Sequence, residues 1–94
     1  EGRVVKTLRD EIAKRGGLTR KVNWSGRVGA PDWLVMLNGR HCFAECKAPN
    51  GKCTVVQLIE HKRLRTEGGF AVYVVRCKED IERMIEDLEN EIRL

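Results

Sequence analysis

Two acids and an amine carry the chemistry this chain advertises: Asp32 after Pro31, and Glu45 and Lys47 on either side of Cys46. Between them lies Asn38-Gly39, flanked by apolar runs, the strongest short-range signal for a two-residue type I′ hairpin. If Asn38 and Gly39 form the loop, Leu37 faces Arg40 and every cross-strand pair has residue numbers summing to 77. Asp32 then falls opposite Glu45. Directly opposite residues in an antiparallel pair have Cβ atoms about 4.5–5.5 Å apart. Two carboxylates held that close repel unless something positive lies between them, and a divalent cation is the simplest candidate. Alternation along the strand puts Lys47 on the face of Glu45 and diagonal to Asp32. The competing reading makes Asp32 a turn residue and Glu45–Lys47 a surface pair, but Leu34 and Phe43 share that face and predict that it is partly covered.

The elements that must hold these groups are legible along the chain. Val4, Val5, Leu8 and Ile12 recur at helical spacing before Gly16-Gly17, a C-terminal stop. On that helix Glu1 falls in the middle of the apolar stripe, either as a frayed terminal residue or as an acid aimed at a cation. A short strand is predicted from Leu18 to Trp24, then a breaker-rich loop from Ser25 to Pro31. The hairpin follows, with arms from Trp33 to Leu37 and from Arg40 to Lys47. Thr54-Val55-Val56-Gln57 has capping-box spacing and opens a helix that stops at Gly68-Gly69, so Gln57 has a structural explanation of its own. Phe70 to Val75 is a continuous apolar run suited to a buried strand. Ile81, Met84, Ile85, Leu88 and Ile92 form the stripe of a last helix. The order is therefore αβββαβα in one domain spanning residues 1–94. The crossover through the Thr54 helix predicts a mixed sheet, with the last strand parallel to the Glu45 strand and helices on both faces. The acidic face should look into a cleft bounded by the first helix and the Thr54 helix.

Charge and composition narrow the function classes. The chain carries a net charge of +4 in 94 residues, with five basic residues and no acid from Lys14 to Arg27. Arg20, Lys21, Arg27 and Lys52 are the candidates for contacts to a phosphate backbone, and Trp24 is either a core residue or a base-stacking surface. No apolar run approaches the ~20 residues of a membrane span, and no signal-peptide pattern opens the chain, which predicts a cytoplasmic protein. The four cysteines form no C-x-x-C pair. Cys42 and Cys46 read as small buried hydrophobes on the face opposite His41 and Glu45, which argues against a zinc site.

Taken together, Gly29-Ala30-Pro31-Asp32, Glu45-Cys46-Lys47 and Gln57 on the following helix resemble the PD-(D/E)XK nuclease superfamily, and within it the VRR-NUC (virus-type replication-repair nuclease) family. The resemblance extends to Gly16-Gly17 and to the strand from Gly69 to Val75, and so covers nearly the whole chain. It implies a restriction-endonuclease-like mixed β-sheet flanked by helices and a Mg²⁺- or Mn²⁺-dependent endonuclease. Asp32 and Glu45 would hold the metal, with the Cys46 carbonyl as a further ligand. Lys47 would orient water and offset phosphate charge, Gln57 would lie beside the site, and Glu1 matches an N-terminal helix glutamate that completes the metal shell. Stand-alone phage members resemble homodimeric Holliday-junction resolvases, which implies a four-way DNA junction as substrate and action in a host bacterial cytoplasm. A monomeric flap or nicked-duplex nuclease and a non-catalytic nucleic-acid-binding module are the alternatives.

Overall fold

The computed structural model describes residues 2–90. Seven elements follow the predicted order: α1 (Gly2–Lys14), β1 (Leu18–Lys21), β2 (Trp33–Leu37), β3 (Arg40–Cys46), α2 (Val55–Thr66), β4 (Val72–Val75) and α3 (Lys78–Asn90). The strands form one sheet in the order β1-β2-β3-β4. The first two pairings are antiparallel, and β3 and β4 run parallel, as the α2 crossover requires.

The hairpin turn sets the register. Asn38 (φ 58°) and Gly39 (φ 74°) both occupy the left-handed region that a type I′ turn demands. Leu37 consequently pairs with Arg40 and Trp33 with Ala44. Because facing residues share a side, one face of the sheet carries Trp33, Val35, Leu37, Cys42, Ala44 and Cys46, and the other carries Arg20, Leu34, Met36, His41, Phe43 and Glu45.

The first of these faces holds the main core. Val4, Leu8 and Ile12 of α1 and Ile81, Met84, Ile85 and Leu88 of α3 pack there against the sheet. Cys42 is fully buried, and desolvation pushes its thiol up to about 12. All four cysteines are free, and no zinc cluster forms among the described residues.

Four details depart from the sequence reading, the smallest being that β3 ends at Cys46, one residue short of Lys47. β1 ends at Lys21 instead of Trp24, because the Trp24 indole turns back to donate to the Pro31 carbonyl at 2.7 Å and to pack on Phe43. β4 starts at Val72, because Phe70 closes the end of α2 by donating its N–H to the Leu64 carbonyl at 3.0 Å and stacks its ring on His41 and Phe43. Finally, α1 lies with α3 on the face away from Glu45. The acidic face is bounded by α2 and the loop of residues 22–31, not by α1 and α2.

Candidate active site

Glu45 is the centre of the arrangement. It sits one position before the end of β3, on the α2 face, and is 4% exposed. A carboxylate buried that deeply is costly without polar partners. α2 supplies two. His61 Nε2 lies 3.2 Å from Glu45 Oε1, and the Gln57 amide donates to Oε2 at 3.5 Å.

The start of α2 fixes the orientation of Gln57. The Thr54 hydroxyl accepts from the Gln57 N–H at 3.1 Å, and the Gln57 side-chain oxygen accepts from the Thr54 N–H at 2.9 Å. With its oxygen committed to the helix N-terminus, the amide has only its NH₂ to offer Glu45. The capping box and the site contact are one structure, so Gln57 serves the helix and the carboxylate together.

His61, one helical turn further along the same face, is fully buried. Burial lowers its pKa, and the positive charges of Arg65 and Lys47 lower it further against an opposing pull from Glu60, which favours a neutral imidazole at pH 7. Its Nδ1 is the one buried side-chain polar atom without a hydrogen-bond partner among the described residues. The sequence reading missed His61; the spacing Gln57-x-x-x-His61 is the signal that could have pointed to it, since positions four apart share a helix face.

Asp32 arrives from the other arm. It lies one step beyond the Trp33–Ala44 pair, level with Glu45 in the register, and is half-buried. Its segment is pinned on three sides. The Val22 N–H donates to the Asp32 carbonyl at 2.7 Å, Trp24 holds the Pro31 carbonyl, and Gly29 presses against Val56 of α2. A further latch ties the loop to α2: the Arg27 guanidinium donates to Glu60 at 2.7 Å. That contact raises the Arg27 pKa and lowers that of the buried Glu60 carboxyl.

Lys47 follows the strand, half-buried, with its N–H donating to the Val75 carbonyl at 3.0 Å. The thiol of Cys46 packs in the opposite core, and the residue pairs with Val75. Of the basic candidates, Arg20 shares the Glu45 face and Lys52 is exposed in the connection to α2. Lys21 points to the other face, with its ammonium 6.0 Å from the centre of the Trp33 ring, and Arg27 is engaged by Glu60. Glu1, and Ile92 of the expected last-helix stripe, lie outside the described residues.

The donor set suits a hard cation. Two carboxylates, Asp32 just before β2 and Glu45 within β3, match what Mg²⁺ or Mn²⁺ takes from a protein when water and substrate phosphate complete the shell. Among the described residues, which do not include Glu1, no group of three or more His, Cys, Asp and Glu side chains is arranged to hold a metal.

No family model matches the chain. A curated phage protein, "Putative nuclease p44" of Acyrthosiphon pisum secondary endosymbiont phage 1, is 49% identical over 65 residues, which span 68% of this chain and 70% of that protein. A solved structure described as a VRR_NUC domain superposes with a TM-score of 0.80 at 41% identity, covering 92% of this chain and 94% of the other. The acids on adjacent hairpin arms, the amine beside them and the shared fold agree with these likenesses: the chain belongs to the VRR-NUC family of nucleases.

Proposed function

We propose that this protein is a Mg²⁺- or Mn²⁺-dependent, structure-selective DNA endonuclease that works as a homodimeric Holliday-junction resolvase in the cytoplasm of a bacterial host. The observation that carries the reading is the hairpin register, which brings Asp32 level with the buried Glu45 while Lys47 follows directly after the end of β3. In this reading Asp32, Glu45, the Cys46 carbonyl and Glu1 would hold the ion. When bound, the ion stabilises charge on the phosphoryl oxygens and lowers the pKa of its water. Lys47 orients the attacking water and offsets phosphate charge. Gln57 steadies Glu45. Arg20 and Lys52 contact the DNA backbone without reading sequence, and removing either should weaken binding and reduce its salt dependence, whereas Lys21, turned to the opposite face beside Trp33, and Arg27, held by Glu60, should matter less.

Two carboxylates at facing positions of a hairpin serve poorly as a passive DNA-binding surface, because negative charge repels phosphate. The same fact supplies the test. With a labelled four-way junction, a flap and a linear duplex, cleavage is expected only with Mg²⁺ or Mn²⁺ and preferentially on the junction. Asp32→Asn and Glu45→Gln should each lower the rate by about 10²–10³-fold while DNA binding is kept or tightened. Metal-dependent cleavage by Asp32→Asn at the unaltered rate would overturn the assignment.

A further inference from the structure

His61 has a role that neither packing nor the hairpin acids explain. A fully buried imidazole that leaves Nδ1 without a partner is a poor core residue, since an aliphatic side chain fills the same space and strands no polar atom. What the imidazole does provide is a rigid contact to Glu45 Oε1 at 3.2 Å. Carboxylate oxygens only accept. With Glu45 ionised, as a cation ligand has to be, the proton sits on Nε2, which leaves Nδ1 as the bare nitrogen and accounts for both atoms at once. Of the two contacts from α2, the one from His61 is the shorter, and the one from Gln57 to Oε2 stands at 3.5 Å. Each carboxylate oxygen has two lone pairs, so Oε2 can ligate a cation with Gln57 still in reach.

We propose that His61 is a positioning residue: its Nε2–H fixes Glu45 through Oε1 and so presents the carboxylate to the divalent cation. Gln57 and His61, four residues apart on one helix whose start is locked by its own capping box, preorganise the ligand from behind. The inference rests on the metal-site reading above, and its test separates the two.

Mn²⁺ is titrated calorimetrically into the protein without DNA, and the Mn²⁺ concentration for half-maximal junction cleavage is measured alongside. Wild type should bind Mn²⁺ and Asp32→Asn should not; failure of either takes down the metal-site reading and this inference with it. His61→Gln keeps a donor near the position of Nε2 and is expected to stay within about threefold of wild type. His61→Asn is similar in polarity but too short to reach Glu45, and should weaken Mn²⁺ binding by about 10–100-fold, with cleavage recovering towards the wild-type kcat at high Mn²⁺. A purely structural histidine would lower Tm in both variants and leave the Mn²⁺ affinity of the folded protein unchanged. Wild-type affinity in His61→Asn, or equal impairment in the two variants, overturns the inference with Asp32→Asn still defective. If neither variant folds, the ¹⁵N spectrum of wild-type His61 decides, because an Nδ1-protonated ring cannot donate through Nε2.

Discussion

Gly29 shows how tightly single positions constrain the acidic site. Its φ is +87°, and a Cβ added there would stand 2.9 Å from both Val56 Cγ1 and the Val56 carbonyl oxygen. Gly26 in the same loop has a similar φ of +72° but open space around it. The pair separates conformational strain from steric contact. A side chain in the left-handed region costs about 1–2 kcal/mol, so Gly26→Ala should lower Tm by roughly 4–8 °C per kcal/mol for a domain of this size. Gly29→Ala bears the same strain plus displacement of α2 and should cost at least ~1 kcal/mol more. Three residues on is Asp32, so Gly29→Ala should also slow cleavage where Gly26→Ala does not. Thermal unfolding and junction cleavage of the two variants check this, and equal losses would mean that the Val56 contact carries no weight. The sequence showed a breaker-rich loop here, but a glycine demanded by a neighbouring helix looks like any flexible connector until that helix is in place. His61 was hidden for the same reason, since its partner is sixteen residues away in the chain.

At the scale of elements, what could be read was what local chemistry fixes. Asn38-Gly39 determined the β2–β3 register to the residue, and the apolar stripes of α1 and α3 named the faces they bury. Strand ends were less legible, because Trp24 and Phe70 leave the sheet for tertiary partners that no local pattern announces. The side of the sheet taken by α1 was missed, since either face of an amphipathic sheet can receive a helix of that pattern. α1 also has a charge feature with a measurable consequence. Glu11, though buried in α1, accepts from Arg15 at 2.9 Å and Lys14 at 3.0 Å, which lowers its pKa from 4.5 to about 2. Glu60 shifts in the same direction through Arg27. A carboxyl whose pKa is lower folded than unfolded contributes stability above its unfolded pKa and loses it on acidification. Melting temperature should therefore fall as pH drops from about 4.5 towards 2. Glu11→Gln should melt lower than wild type at pH 7, and the gap should narrow as the pH approaches 2. A gap that stayed constant with pH would assign the loss to packing instead of charge.

At the scale of the whole molecule, the two faces of the sheet are finished differently. α1 and α3 seal one side, whereas the other leaves Leu34, Met36, His41, Phe43 and Phe70 lining an open pocket of about 300 Å³. α2 covers the rest of that side and turns an apolar outer surface to solvent: Val55, Val56, Leu58 and Ile59 are all about half exposed or more. The buried positions of α2 are the polar Glu60 and His61, so its apolar residues are turned outward, the pattern of an element with a partner on its outer side. For a resolvase the fitting partner is a second copy, since symmetric cutting of a four-way junction needs two active sites in one closed assembly. Because α2 also carries Gln57 and His61, packing α2 against its two-fold mate would tie both sites to one rigid seam. Ile59→Asp tests this, because the side chain points to solvent in the isolated chain and a charge there leaves the fold intact. In a two-fold interface the substitution enters twice, and each buried unpaired charge costs on the order of 2 kcal/mol or more, enough to weaken dimerisation by at least about 10³-fold. Native mass measurement should then give a monomer that still nicks DNA in the presence of Mn²⁺ but no longer makes paired cuts across the junction. A dimeric Ile59→Asp protein would put the seam on another face, and a wild-type chain that is itself monomeric would favour the flap nuclease, for which one site suffices.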